Sequence, residues 1–151
     1  MKKILLTAVV ALSALVASAQ FMVVTTYDGD QEENMEKVTA NMGIGYMVSD
    51  AITVGLAKGG DVITAATGTA AADTSDGYDL WVRYNLSMAE GAYASLQMPT
   101  KDGSDNMSIG LGFAFNVWNG LYVEPNYTMP TSKDDNGDRE GSFNFGLSYS
   151  F

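Results

Sequence analysis

Few residues in this sequence could do chemistry, and the three that stand out are Asp79, Arg83 and Glu124. Each lies in a segment where apolar and polar residues alternate, and each falls on the polar side of the alternation. An enclosed charge must be paired, because an unpaired one costs several kcal/mol. We therefore predict that the three residues form an ion-pair network inside the protein. This network would act either as a plug or as a gate in a narrow pore.

The composition removes most catalytic chemistry. The 151 residues contain no His and no Cys, so the commonest general base, a thiolate nucleophile and the imidazole or thiolate ligands of transition metals are all missing. We therefore expect no enzyme activity, no cofactor and no transition metal. Residues 134–140 resemble the start of a calcium loop, but Arg139 stands where the turn glycine belongs. We interpret this segment as a solvated acidic loop.

The charge balance argues against one class of partner. There are 18 Asp and Glu against 8 Lys and Arg, a formal net charge of −10. The acidic residues gather in four segments, residues 28–33, 61–76, 102–105 and 134–140. Such a surface repels phosphate backbones, so nucleic acid is excluded as a partner.

The first 19 residues have the pattern of a cleaved signal peptide. Lys2 and Lys3 precede an apolar run over residues 4–16, and the small residues Ala17 and Ala19 complete an A-x-A cleavage site. The run is shorter than the roughly 20 residues of a spanning helix, which disfavours the alternative of a membrane anchor. We therefore divide the chain into a signal peptide, residues 1–19, and one domain, residues 20–151.

Strict alternation predicts four β-strands from residue 78 onward. The pattern is clearest over residues 78–86, 107–117, 121–129 and 143–151. It is looser over residues 21–27, 36–48, 51–58 and 92–98, which completes a count of eight. The links between these segments alternate between short and long, so that all short links fall at the end that carries both termini. For the last short link we predict a three-residue loop with Gly120 in the left-handed position, which pairs Val117 with Leu121.

The composition of the two faces distinguishes a membrane barrel from a soluble lipocalin-like barrel or sandwich. The polar face is mostly Ser, Asn, Thr, Gly and Ala, whereas a face in water would carry many charges. Aromatic residues lie near the strand ends, where a membrane barrel meets the headgroups: Phe21, Tyr27, Tyr46, Tyr78, Tyr127, Tyr149 and Phe151. The prediction is an all-β fold, an eight-stranded antiparallel up-and-down transmembrane β-barrel.

The sequence resembles the small eight-stranded outer-membrane barrels of Gram-negative bacteria, of the OmpA, OmpX and OmpW type. The most specific match is at the C-terminus, where Asn144, Gly146, Tyr149 and Phe151 fit the terminal assembly signal of that family. The resemblance implies an outer-membrane location and delivery to the barrel-assembly machinery through the last strand. Barrel enzymes that act on lipid A rely on a His and Ser pair, and the absence of His argues against that activity.

Three functions remain open at this point. The first is a non-enzymatic outer-membrane barrel whose acidic external loops serve envelope integrity, adhesion or interaction with host or phage surface factors. Its partners would be outer-membrane lipid and lipopolysaccharide, with divalent ions bridging acids to phosphates. The second is a narrow porin-like passive channel or transporter for small or hydrophobic solutes. The third is a secreted soluble β-barrel that binds a ligand inside.

Overall fold

A computed structural model describes residues 20–59, 62–64, 73–75, 77–101, 106–133 and 137–151. The predicted signal peptide, with Ala17 and Ala19 at its cleavage site, lies outside these residues. Within the described part of the chain, no helix is long and apolar enough to cross a membrane.

The described chain consists almost entirely of β-strands. Eleven strands and one short helix follow each other in this order: β1 Phe21–Thr26, α1 Glu36–Thr39, β2 Gly43–Met47, β3 Ile52–Lys58, β4 Val62–Thr64, β5 Asp73–Ser75, β6 Tyr78–Asn85, β7 Ala92–Pro99, β8 Ser108–Phe113, β9 Phe115–Trp118, β10 Leu121–Pro130 and β11 Ser142–Ser150.

The strands close into one antiparallel barrel. Each barrel strand pairs with the next along the chain, and β11 returns to pair with β1 from Met22–Ser150 to Thr26–Gly146. Because β8 and β9 are two parts of one barrel strand, interrupted at Ala114, the wall has eight strands. The predicted eight-stranded antiparallel up-and-down barrel is confirmed.

The links alternate in length as predicted. Short links at residues 48–51, 86–91 and 119–120 lie at one end of the barrel, and the longer links lie at the other. The second long link contains a small hairpin, in which β4 pairs with β5 from Val62–Ser75 to Thr64–Asp73.

One predicted strand is wrong over half its length. The segment 36–48 forms helix α1 first, and strand β2 begins only at Gly43. The backbone N–H groups of Lys37 and Ala40 donate to the carbonyls of Glu33 and Glu36, so this stretch satisfies its backbone locally instead of pairing with β1. Thr25 Oγ1 donates to the Val38 carbonyl and ties the helix to β1.

The last short turn also differs from the prediction. Trp118 pairs directly with Leu121, so the loop has two residues, Asn119 with φ of 34° and Gly120 with φ of 90°. Positive φ at both positions is the geometry that an Asn-Gly hairpin favours. The register then shifts so that Tyr122 pairs with Asn116, which leaves Val117 as an extra residue and restores the face assignment of β10.

The two faces of the wall separate by polarity. Outward-facing apolar side chains are exposed along whole strands, among them Leu111 at 62% and Phe145 at 57%. Inward-facing Glu124 and Ser148 are only 3% and 2% exposed. The apolar residues therefore cover the outside of the barrel, and the small polar residues line the lumen.

Candidate functional site in the barrel lumen

An ion pair crosses the lumen between β6 and β10. The guanidinium of Arg83 faces the carboxylate of Glu124, with Nη1 donating to Oε1 over 2.8 Å and Nη2 donating to Oε2. Two parallel hydrogen bonds of this kind make the strongest geometry available to an arginine and a carboxylate. The side chains are 11% and 4% exposed, so the pair is removed from bulk water.

Neighbouring side chains complete the polar contacts of this pair. Ser148 on β11 donates its hydroxyl to Glu124 Oε1 over 2.5 Å, and the Tyr93 hydroxyl on β7 lies 3.4 Å from Oε2. The guanidinium carbon of Arg83 lies 4.0 Å from the centre of the Tyr93 ring, within cation–π distance. The four side chains come from four strands and form one layer, which we call the Arg83 layer: Arg83, Tyr93, Glu124 and Ser148.

Asp79 does not belong to this layer. Its carboxylate accepts a hydrogen bond from Gln97 Nε2 over 2.6 Å, two lumen-facing positions along β6 from Arg83. The predicted network of three charges therefore divides into an ion pair and a separate acid–amide pair. The alternation assigned all three residues to the inside, but it carries no information on their height along the barrel.

The Arg83 layer separates two cavities in the lumen. The outer cavity, on the side of the long links, has a volume of about 320 Å³, and the inner cavity, on the side of the short links, about 930 Å³. Arg83 and Glu124 line both of them. The layer therefore lies between the two cavities.

Glycines on the inner face make room for the largest lumenal side chain. Gly45 on β2 and Gly55 on β3 are paired with each other, and Gly55 is also paired with Trp81 on β6. The Trp81 ring covers both glycines so closely that a Cβ at either would lie 2.5 Å from a ring atom. Gly45 and Gly55 therefore have a packing role, because a larger residue at either position would overlap the Trp81 ring.

We expect Gly55→Ala to destabilise the barrel by about 1 to 3 kcal/mol, because the new methyl group overlaps Trp81 and the carbonyl oxygen of Ile44. Unfolding by urea in detergent micelles measures the change. Gly146→Ala is the matched control, since its Cβ would meet its nearest neighbour at 3.3 Å. Equal stability of the two variants would contradict the packing role of Gly55.

The four residues of the predicted C-terminal assembly signal divide between the two faces of β11. Asn144 lies inside and donates to Thr128 Oγ1 over 3.0 Å, and Gly146 lies buried on the same face. Tyr149 lies outside, and its ring centre is 5.0 Å from that of Phe151 in an edge-on contact. This arrangement puts an aromatic pair on the outer surface at the short-link end of the barrel.

Sequence reasoning missed three of the residues that hold the charged groups. The alternation in residues 143–151 puts Ser148 on the polar face, but its role as a partner of Glu124 depends on the pairing of β10 with β11. Tyr93 and Gln97 lie in β7, where the alternation is loose. Both are inward-facing polar residues on a strand whose neighbours carry charges. That position is the one signal by which they could have been predicted as partners of the charged groups.

The acidic residues of the described loops are solvent-exposed. Asp30, Glu32, Glu33, Asp138 and Glu140 are all exposed. The carboxylate of Asp28 accepts hydrogen bonds from the Gln31 side chain and the Asp30 backbone N–H, which lower its pKa below the ordinary value. The other predicted loop acids lie outside the residues whose side chains are described: Asp61, Asp73, Asp76, Asp102, Asp105, Asp134 and Asp135.

A closed eight-stranded barrel with an apolar outside, a polar lumen and links of alternating length has the architecture of the small bacterial outer-membrane proteins. This is an outer-membrane type of β-barrel fold. A similar solved structure is the solid-state NMR structure of outer membrane protein AlkL in DMPC lipid bilayers, with a TM-score of 0.42 and 12% sequence identity, covering 89% of this chain and 91% of that one. No protein-family model matches the sequence, and no curated protein matches it.

Proposed function

We propose that this protein is a non-enzymatic integral barrel of the outer membrane, with a lumen closed near its middle and acidic loops presented at the cell surface. The observation that carries the proposal is the apolar outer wall. Outward-facing side chains at mid-strand, such as Val82, Leu111 and Phe145, are 40%, 62% and 57% exposed. A continuous apolar surface of this extent is stable in lipid, whereas in water it leads to aggregation.

The same observation disfavours a soluble ligand-binding barrel. A soluble barrel turns its apolar face toward its core and its charged face toward water. In the described strands the polarity runs the other way, because Glu124 and Arg83 are enclosed while Phe115 and Phe143 are exposed. The apolar outer surface of the barrel is therefore suited to contact with lipid and not with water.

The loops support a role at the membrane surface. The acids in residues 28–36 lie in the first long link, and Asp138 and Glu140 lie in the last one, at the same end of the barrel. Concentrated negative charge there suits divalent ions that bridge to lipopolysaccharide phosphates, or contact with host or phage surface factors. Envelope integrity and adhesion are the two roles we propose. The outward aromatic pair Tyr149 and Phe151 supports recognition of the last strand by the barrel-assembly machinery.

Cell fractionation followed by electrophoresis of heated and unheated samples tests the proposal. We expect the protein in the outer-membrane fraction, and we expect a band that changes mobility on boiling, because a closed barrel stays folded in detergent at low temperature. A soluble band whose mobility heat leaves unchanged would contradict both the location and the closed wall.

A passive channel is the second candidate, because each cavity of the lumen is spacious. The Arg83 layer argues against it, since a solute would have to break a doubly hydrogen-bonded ion pair to pass from one cavity to the other. We expect negligible steady conductance from the purified barrel in planar lipid bilayers. A reproducible open level of constant size would favour the channel over the closed barrel.

A further inference from the structure

The lumen contains more space than a structural plug requires. An eight-stranded barrel is just wide enough for side chains to fill it. Here the outer cavity remains above the Arg83 layer. Its volume of about 320 Å³ lies at the lower end of the range of small-molecule sites, about 300 to 1,000 Å³.

The outer cavity is lined by neutral hydrogen-bonding groups. Side-chain amides contribute from several strands, at Gln97, Asn126 and Asn144, and hydroxyl groups contribute at Ser95 and Thr128. Amides and hydroxyls both donate and accept, so together they can match a ligand that carries many hydroxyl groups. Among the charged residues of the lining, Arg83 and Glu124 pair with each other at the floor, and Lys58, at the long-link end of β3, also has an interaction partner. The lining therefore leaves no unpaired charge that would favour an ion.

One polar atom of this lining has no partner. The indole Nε1 of Trp81 is buried without a hydrogen bond, the one such buried side-chain nitrogen or oxygen among the described residues. Trp81 is 8% exposed and lines the outer cavity but not the inner one. A buried donor without an acceptor costs about 1 to 3 kcal/mol. Nε1 itself has no accessible surface, so a movement of the Trp81 ring toward a bound ligand is needed to give this N–H an acceptor and recover that energy.

We propose that the outer cavity is a binding site for a small neutral polyol of monosaccharide size. The Trp81 N–H donates to one ligand hydroxyl oxygen, and the amides and hydroxyls of the wall take the others. The aromatic rings of Trp81 and Tyr93 pack against the apolar C–H face of the ligand. The Arg83 layer is the floor, so the ligand binds from the external side and does not pass through.

Glucose titration of the folded barrel in detergent micelles tests the site, with Trp81 as the reporter. The chain has two tryptophans, and Trp118 is 73% exposed on the outer wall. In the Trp118→Phe variant we expect glucose to change Trp81 fluorescence with saturation in the millimolar range. In amide NMR spectra of the unmodified chain, the Trp81 indole N–H resonance should shift while that of Trp118 stays.

A pair of cavity-filling variants locates the ligand. Ser95→Leu occupies the outer cavity and should weaken glucose binding by about tenfold or more, whereas Ala114→Leu occupies the inner cavity alone and should leave it unchanged. A heat-dependent mobility shift verifies that each variant is folded, and the NMR measurement needs no variant. A linear response without saturation, or loss of binding in Ala114→Leu instead, would overturn the assignment. Since every sample is a folded barrel, a negative result leaves the proposed membrane function standing.

Discussion

Glu124→Ala is expected to lower the free energy of unfolding of the barrel by about 3 to 5 kcal/mol. The substitution leaves the guanidinium of Arg83 enclosed in the lumen without the two hydrogen bonds that it makes to this carboxylate. It also removes the acceptor of the Ser148 hydroxyl. Urea unfolding in detergent micelles, followed by tryptophan fluorescence, measures the loss.

The double variant Arg83→Met, Glu124→Leu separates the cost of an unpaired charge from the value of the pair. Replacing both partners of a buried ion pair by apolar groups of similar volume is often neutral. We therefore expect the double variant to be more stable than Glu124→Ala. If the two were equally unstable, the loss would come from cavity formation and not from an orphaned charge.

Leu111→Arg is expected to cost about 2 to 4 kcal/mol and to block accumulation in the outer membrane. Leu111 lies on the outer face of β8, between Ala94 of β7 and Tyr127 of β10, and is 62% exposed. An arginine there would face the hydrocarbon of the bilayer. Immunoblotting of membrane fractions from cells that express the variant measures its accumulation.

The matched control for this substitution is Trp118→Arg. Trp118 also faces outward, but it adjoins the two-residue turn at the rim of the barrel, where the cost of an arginine falls to about 0 to 1 kcal/mol. The Trp118 variant should accumulate nearly normally. Normal accumulation of Leu111→Arg as well would reverse the assignment of the outer face.

Alternation of residue types predicted the wall because a barrel has only two faces. In β6, β10 and β11 the pattern is strict, and a residue's odd or even place in the alternation, its parity, decides whether the side chain faces lipid or the lumen. The same parity brought Arg83 and Glu124 to the inside, where the cost of an unpaired charge required a partner. The fold class and the inward position of these charges could therefore be predicted from the sequence, whereas which charges pair with each other could not.

The remaining errors arise where parity carries no information. Asp79 has the right parity for the network, but its height along β6 places it beside Gln97. The Asn119–Gly120 turn was assigned three residues to preserve the faces, whereas the chain preserves them with a bulge at Val117. Helix α1 hydrogen-bonds locally, and residues 36–39 show neither clear alternation nor a long helical repeat.

The seam between β1 and β11 has a consequence for the order in which the wall forms. Met22 and Ser150 are paired although more than a hundred residues separate them, whereas the neighbouring hairpins join strands that follow each other directly. The entropic cost of closing a chain loop rises with the logarithm of its length, which puts this pairing about 3 kcal/mol above a tight hairpin. Cylinder closure is therefore expected to be the slow step of folding. Until the cylinder closes, the protein is a curved sheet with two unpaired edges, formed by β1 on one side and by β11 on the other.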